Sequence, residues 1–297
     1  MRESGLAVAL LDDFARAREE NQWKIYGVDV KIHGETVDAR HFFPQKRYPI
    51  YSATKSFTAT AVGIAQAEGK MEIHQPLGKY LAGEMAALPD NQIRRWQGIA
   101  IRRLLMMAVA GFPFRPEGED WIQMSLSCPI GEVPAFSYSN IPAYLVGAAL
   151  ENAVGENLIE YLKPRLLLPL GIENPPYCRC PGGHFYGATG MELTVEELSR
   201  LGLLYMQKGM WKGERLLPSQ WVQEAVAHQM DTGYPRFGQE GYGYFFWQWS
   251  QGFAIRGKWG QRCLVIPEKG IVLTCLSDMP QGFEKAEAVL QTTVLHR

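Results

Sequence analysis

The fold is decided by the segment Tyr51-Ser52-Ala53-Thr54-Lys55-Ser56-Phe57, because a short extended stretch leads into it and a helix-forming run follows it. That run extends from 57 to 68, and Gly69 comes next, at the position of a C-terminal cap. Ser52 is therefore predicted at the start of a helix, where backbone N–H groups are free. Lys55 is three residues further on and shares one face of the first turn with Ser52. A hydroxyl beside an amine indicates a serine nucleophile that is activated without histidine.

Length and composition describe an ordinary globular protein that is large enough for one or two lobes. The chain has 297 residues, of which 46% are hydrophobic and 21% are charged, and its net charge is −1. Since basic residues are not in excess, we expect neither a nucleic-acid partner nor an anionic membrane as partner. The oligomeric state stays open.

Two further features bear on the cellular compartment. The chain has five cysteines, an odd and scattered set that indicates reduced thiols rather than a disulfide framework. The apolar run from Leu6 to Leu11 meets Asp12 at once, so residues 5–20 are predicted as an amphipathic helix and not as a signal peptide. No stretch of about 20 apolar residues occurs that could span a membrane. We therefore expect a cytoplasmic protein.

Strand-like alternation is found near both ends of the chain. Residues Tyr26–Ile32 alternate, turn at 33–35 and return through 36–43, which predicts a hairpin. The later strands are predicted over 242–249, 253–256, 263–266 and 271–275, the last two joined by a turn at 267–270. A helix over 283–295 closes the chain.

The middle of the chain is predicted to be helical. A buried helix is expected over 99–107, and the clearest helices over 141–152, 158–168 and 194–208. Thr194 and Glu197 form a capping box for the last of these. Together these elements predict an α+β fold, in which an antiparallel sheet flanked by helices is built from both termini and a mainly helical lobe is inserted. The sheet lobe would comprise residues 1–75 and 235–297, the helical lobe residues 76–234, and the active site would lie between them.

Tyr138-Ser139-Asn140 is the only Tyr-x-Asn triplet in the chain, and an apolar helix is predicted directly after it. Taken alone, it fits a buried tyrosine followed by a helix-capping asparagine equally well. In the functional interpretation, Tyr138 accepts and donates a proton. This requires a nearby cation, such as Lys55, to lower its pKa from about 10.

Lys258-Trp259-Gly260-Gln261 is the only Lys-x-Gly motif and precedes a predicted strand. Taken alone, it fits an edge-strand lysine and a turn glycine. In the functional interpretation the strand lines a cleft and Lys258 supplies positive charge. Gly260 then allows close approach of the backbone, and the N–H of Gln261 points at a reacting oxygen.

With these three motifs in this order, the chain resembles the serine β-lactamase and penicillin-binding-protein superfamily. It is most similar to the class C β-lactamase-like proteins and the β-lactamase-fold esterases. The segments 101–105, 169–172 and 216–218 are similar to the family's connecting sequences, so the resemblance covers nearly the whole chain.

The resemblance implies a role for each motif residue. Ser52 would be acylated, Lys55 and Tyr138 would move its proton, and Lys258 would help to polarise Tyr138. The N–H groups of Ser52 and Gln261 would form an oxyanion hole. The residues expected to bind substrate are Asn140, Trp259, Gly260 and Gln261.

Two departures from the family pattern bear on the substrate. Trp259 stands where the family usually has Thr, Ser or Gly, whose hydroxyl, where present, helps to hold the carboxylate of β-lactams. The segment Val109-Ala110-Gly111 stands where Thr-Ser-Gly is common. We therefore expect a serine hydrolase acting on an ester, amide or lactam, with esterase activity favoured. The alternative is a non-catalytic module that binds a ligand or peptide.

Two other kinds of site fit the sequence less well. Residues 252–258 have the spacing of a phosphate loop, but Trp259 stands where Ser or Thr is required, and a strand follows instead of a helix. Cys178, Cys180 and His184 lack a fourth metal ligand. We therefore predict no metal site and no cofactor.

Overall fold

The computed structural model describes residues 10–234, 239–249 and 251–295. Its strands are β1 Ile25–Ile32, β2 Glu35–His41, β3 Tyr48–Pro49, β4 Glu192–Leu193, β5 Met210–Trp211, β6 Glu214–Arg215, β7 Met230–Asp231, β8 Gly241–Tyr242, β9 Trp247–Trp249, β10 Gly252–Gly257, β11 Gln261–Ile266 and β12 Ile271–Ser277. Its α-helices are α1 Asp12–Glu20, α2 Thr54–Ala67, α3 Ala82–Met85, α4 Asp90–Gln97, α5 Ile101–Leu105, α6 Trp121–Leu126, α7 Ile141–Val154, α8 Leu158–Leu162, α9 Val195–Met206, α10 Ser219–Val226 and α11 Phe283–Leu295.

The main layer is an antiparallel sheet in the order β2-β1-β12-β11-β10-β9-β8-β7. Strand β1 near the start of the chain pairs with β12 near its end, with Val28 opposite Cys275. The prediction of an α+β fold whose sheet is built from both termini is therefore confirmed. Both hairpins, β1–β2 and β11–β12, are confirmed as well.

Helices cover both faces of this sheet. Gly202 in α9 lies where an added Cβ would be 2.4 Å from the Cys263 sulfur, so α9 packs closely on β11. Arg262 is the neighbour of Cys263 and therefore points to the opposite face. There its Nε donates to Oε1 of Glu287 in α11, at 3.1 Å. Helix α1 packs against α11.

A buried ion pair lies beneath α9. Asp29 is opposite Thr274, which is opposite Cys263, so Asp29 shares the α9 face of the sheet. The Nζ of Lys31 lies 3.0 Å from Oδ2 of Asp29, and Asp29 is fully buried.

The helical part is organised around α2, in which every residue from 54 to 65 is buried. Helix α7 packs directly against it. Gly69 has φ 69°, and the N–H of Lys70 donates to the Ala65 carbonyl at 2.8 Å, which is the predicted C-terminal cap. The capping box of Thr194 and Glu197 at the start of α9 is also confirmed.

Several predicted elements differ in the structure. Residues 242–249 form no single strand: the N–H of Gly243 donates to the Phe246 carbonyl at 2.8 Å, closing a turn between β8 and β9. The backbone N–H of Phe245 donates to the carbonyl of Leu105 in α5 at 3.0 Å, so contact with the helical part overrides the alternation.

Two helices are shorter than predicted, and one prediction lies partly outside the described residues. The helix expected over 99–107 is reduced to α5. The one expected over 158–168 changes after α8 to a π-type turn at Lys163–Leu167, where Pro164 lacks an N–H. The N-terminal helix is described from Asp12, and residues 5–9 of the prediction lie outside the described residues. The lobe boundaries stay a prediction.

Candidate active site

Ser52 lies in a single 3₁₀ turn, Tyr51–Ala53, that joins β3 to α2. Tyr51 has φ 48°, a left-handed conformation that is uncommon for any residue except glycine. This turn brings Ser52 to the start of α2, as the sequence predicts. The Nζ of Lys55 lies 3.1 Å from the Ser52 Oγ.

The Lys55 ammonium is almost completely buried, at 1% exposure. Its Nζ donates to Oδ1 of Asn140 at 2.6 Å and to the carbonyl of Ala188 at 2.9 Å. Among the described residues, no carboxylate forms an ion pair with it. Burial therefore lowers the pKa of Lys55 to about 7.

These contacts determine where the lone pair of a neutral Lys55 would point. A neutral amine has two N–H donors and one lone pair. The carbonyl oxygens of Asn140 and Ala188 can only accept, so they take the two hydrogens. The lone pair is then directed at the third neighbour, the hydroxyl of Ser52, which is the geometry of a general base.

Asn140 is held in place by contacts on both sides. Its Nδ2 donates to the hydroxyl of Tyr186 at 3.1 Å, and its backbone N–H donates to the Phe114 carbonyl at 2.8 Å. Tyr186 and Ala188 were not predicted as site residues. They follow Asn140 by more than forty positions, in a loop with no recognisable motif.

Tyr138 lies against both the nucleophile and the lysine. Its hydroxyl is hydrogen-bonded to Ser52, and the Lys55 Nζ is 5.0 Å from its ring centroid. The ring stacks on Trp247 at 5.3 Å between centroids. Burial raises the pKa of Tyr138 to about 12, and the hydrogen bond with Ser52 lowers it only partly. This corrects the expectation of a lowered pKa: burial dominates, so Tyr138 stays protonated at neutral pH.

A cavity of about 400 Å³ opens in front of Ser52. Its wall opposite the nucleophile is formed by Gly257, Lys258 and Trp259. A Cβ added to Gly257 would lie 2.2 Å from the carbonyl oxygen of Ile50, so this wall approaches the Ser52 turn as closely as glycine permits.

The remaining residues of the third motif are placed differently from the prediction. Gly260 and Gln261 are buried and lie outside the set of residues that line the cavity. The Gln261 amide donates to the carbonyl of Ser277 at 2.6 Å and accepts from its N–H at 3.1 Å, which ties β11 to β12. Lys258 is exposed, and its Nζ lies 4.5 Å from the Trp259 ring centroid rather than at Tyr138.

The described residues that line the cavity include three cations, Arg256, Lys258 and Arg262, and no carboxylate. Arg256 and Arg262 lie directly opposite each other on β10 and β11, and Glu287 of α11 contacts both. Burial and the neighbouring Arg262 lower the pKa of Arg256 to about 10. This pair was not predicted from the sequence. An arginine in the otherwise apolar stretch 253–256 was the available signal.

The residues compared above with a metal site and with a phosphate loop make ordinary structural contacts. His184 pairs through Nδ1 with Glu151, Cys180 accepts a hydrogen bond from the Tyr144 hydroxyl, and Cys178 is exposed. Within the described ranges, no group of three or more His, Cys, Asp or Glu could hold a metal ion. Residues 252–257, in the stretch compared with a phosphate loop, form strand β10. In the same described part of the chain, no helix is long and apolar enough to cross a bilayer.

The chain is similar in sequence and in fold to known proteins. A family model described as Beta-lactamase matches residues 14–293. A relative named beta-lactamase, from Pseudomonas fluorescens, is 26% identical over 178 residues, which are 58% of this chain and 45% of that protein. The matched region thus spans less than half the length of that relative.

Two solved structures are similar over most of the chain. A candidate 6-aminohexanoate-dimer hydrolase from Bacillus anthracis aligns with a TM-score of 0.78 and 18% identity, covering 95% of this chain and 81% of that one. A class C beta-lactamase aligns with a TM-score of 0.74 and 15% identity, covering 100% of this chain and 97% of that one. At such identities the similarity shows the fold alone.

Proposed function

Because the chain belongs to the beta-lactamase family, we propose that it is a serine hydrolase that cleaves a carbonyl substrate through an acyl-enzyme on Ser52. One observation carries this proposal. A buried lysine lies 3.1 Å from the Ser52 hydroxyl, pairs with no carboxylate of the described residues, and makes its two other contacts to carbonyl oxygens.

Acylation follows from the protonation states. Neutral Lys55 takes the proton of Ser52 as Oγ forms a bond to the substrate carbonyl carbon. The bond to the leaving group then breaks, and the leaving atom takes the proton of the Tyr138 hydroxyl. Tyr138 regains a proton from the Lys55 ammonium, so Lys55 returns to its neutral form. In deacylation, water takes the place of the leaving group and the same steps run in reverse.

Negative charge that develops on the carbonyl oxygen needs hydrogen-bond donors close to Ser52. We assign one donor to the N–H of Ser52, at the positive end of α2. The other comes from the backbone of the 257–259 wall, which takes the place expected for Gln261. The contact between Gly257 and Ile50 supports this assignment, because it holds the wall against the Ser52 turn.

An ester is the favoured substrate among ester, amide and lactam. Trp259 brings no hydroxyl to the wall, and its indole packs edge-on against Tyr51 at 5.1 Å between ring centroids. Three cations and several aromatic rings line the cavity, among them Phe114 and Trp247. This lining favours an ester that carries both an anionic group and an apolar group.

A cytoplasmic location is part of the same proposal. All five cysteines are free thiols in the structure, which is typical of a reducing compartment. Recovery of the native protein from the periplasm or the medium would contradict it.

Covalent labelling tests the proposed function. A fluorophosphonate probe should label the wild-type protein on Ser52, as located by peptide mass spectrometry, and Ser52→Ala should not be labelled. Ser56→Ala is the matched control, since Ser56 lies in the first turn of α2, close to Ser52, but donates to the Phe245 carbonyl, and it should keep the label. Labelling that survives Ser52→Ala would contradict the assignment. A wild-type protein that is neither labelled nor active, yet binds ligands, would indicate the non-catalytic module instead.

A further inference from the structure

A second cavity, of about 440 Å³, lies on the helical part of the protein. Among the described residues, none lines both this cavity and the cavity in front of Ser52. Arg94 and Arg95 reach it from the last turn of α4, and Arg103 reaches it from α5. Glu132, in the loop that leads to Tyr138, completes its charged lining.

The charges in this cavity do not balance. Three guanidinium groups face a single carboxylate, which leaves two positive charges in a chain whose net charge is −1. The contact between Arg95 Nε and Glu132 Oε1 is long, at 3.5 Å, and the Glu132 side chain is 76% exposed. An ion pair this exposed contributes little to stability, so the net charge of two remains available to a ligand.

Two of the guanidinium groups are also short of acceptors. The Nε of Arg103 is shielded from solvent and has no hydrogen-bond partner among the described residues, and the equally shielded Nε of Arg95 has only the long contact to Glu132. Arg103 uses its Nη2 to donate to the Ala108 carbonyl at 3.1 Å. Burial lowers the pKa of Arg103, which agrees with a partly desolvated cation. Donors that have lost water without gaining an acceptor are costly, and an oxyanion would supply the missing acceptors.

We propose that Arg94, Arg95 and Arg103 form a binding site for a small doubly charged oxyanion. Guanidinium groups offer paired N–H donors that match the oxygens of phosphate and carboxylate. Two uncompensated positive charges correspond to a dianion, either a phosphate monoester or a short dicarboxylate. The site is independent of the reaction at Ser52.

Titration followed by NMR of the arginine Nε–H groups tests the site directly. Inorganic phosphate, sulfate and succinate are each added to the full-length protein at pH 7.5, with sodium chloride keeping the ionic strength constant. We expect saturable shifts of the Arg95 and Arg103 resonances, with dissociation constants on the order of millimolar. Saturation by phosphate and sulfate but not succinate identifies the phosphate class, and the opposite result identifies the dicarboxylate class. Shifts that do not saturate with any of the three would overturn the proposal.

Variants separate this site from general charge effects. Arg103→Gln should weaken binding by about tenfold or more, because one charged donor group is lost. Arg16→Gln, which removes an exposed arginine on α1, should leave binding unchanged. Glu132→Gln removes only an exposed carboxylate and should tighten binding about threefold, so it remains informative if Arg103→Gln does not fold. Equal binding by the wild type and Glu132→Gln would contradict the proposal.

Discussion

The Nζ of Lys55 donates to Oδ1 of Asn140 at 2.6 Å, and this contact joins the start of α2 to the start of α7. The acceptor is a neutral amide where a carboxylate would have fitted. A carboxylate would stabilise the ammonium form of Lys55, whereas an amide orients the lysine without adding a charge. The pair therefore positions Lys55 while leaving it able to lose its proton near neutral pH.

The first prediction concerns pH dependence. Only neutral Lys55 can accept the Ser52 proton, so kcat/KM for an ester should rise with pH and level off above an apparent pKa near 7, the value to which burial lowers the pKa of Lys55. Asn140→Asp places a negative charge beside the ammonium and raises its pKa. The rise should then move to higher pH by about one unit or more. Asn21→Asp, at the exposed end of α1, is the control and should leave the profile in place. A wild-type rate that does not fall between pH 8 and pH 6 would contradict this role of Lys55.

The second prediction concerns the closeness of the two walls. Gly257→Ala introduces a Cβ that would lie 2.2 Å from the Ile50 carbonyl oxygen, so the wall and the Ser52 turn must move apart. We expect kcat for phenyl acetate to fall by about 10- to 100-fold, because small displacements of catalytic groups have large effects. Gly83→Ala, in α3, has no atom within 4 Å of the added Cβ and should keep full activity. Unchanged kcat in Gly257→Ala would show that the wall takes no part in catalysis.

The third prediction concerns the buried ion pair beneath α9. Lys31→Met leaves Asp29 fully buried without its cation, and the free energy of unfolding should fall by about 3–5 kcal/mol. Lys24→Met removes one partner of the exposed ion pair with Asp278, and the free energy of unfolding should change by less than about 1 kcal/mol. Urea denaturation at pH 7 measures both. Similar effects for the two variants would mean that the burial of Asp29 has no special cost.

The fourth prediction concerns substrate preference. Trp259 supplies no hydroxyl to the cavity wall, so short-chain p-nitrophenyl esters should have a higher kcat/KM than a chromogenic cephalosporin. Steady-state kinetics on purified protein, with Ser52→Ala as the blank, make the comparison. A higher kcat/KM for the cephalosporin would reverse the proposed substrate class.

The fifth prediction concerns the positive charge of the cavity. Lys258→Gln should lower kcat/KM for 3-acetoxybenzoate, an anionic ester, by about threefold, since an exposed cation contributes modestly to binding an anion. The neutral analogue phenyl acetate should be hydrolysed at the wild-type rate. Equal losses on both esters would point to a catalytic role for Lys258 rather than recognition of charge.

Local signals in the sequence predicted much of the fold and the centre of the site. The spacing of Ser52 and Lys55 fixes their contact within one helical turn, and the hairpin of β11 and β12 follows from alternation around a turn at Pro267. Gly69 ends α2 through its backbone conformation, and Thr194 begins α9 through its capping box with Glu197. Each of these features depends on residues that are close in the chain.

Features that depend on distant contacts could not be predicted in this way. The turn between β8 and β9 is set by a hydrogen bond from the Phe245 N–H to the Leu105 carbonyl. The orientation of the Asn140 side chain depends on its hydrogen bond to Tyr186. The raised pKa of Tyr138 reflects packing against Trp247 and other rings, whereas the sequence analysis considered only the neighbouring charge of Lys55. Gln261 was placed in the cleft by its motif, but its side chain pairs with Ser277 on the adjacent strand.

The pairing of β1 with β12 has a consequence for biosynthesis. The β1–β2 hairpin is synthesised with one edge open, and the strand that covers this edge, β12, is made only after the whole helical part. Contacts between such distant segments form slowly, and an unpaired strand edge favours association with other chains. During synthesis, the helical middle can fold before β12 is available to pair with the hairpin. We therefore expect the yield of native protein to depend on chaperones that shield the β1–β2 hairpin until β12 has been made.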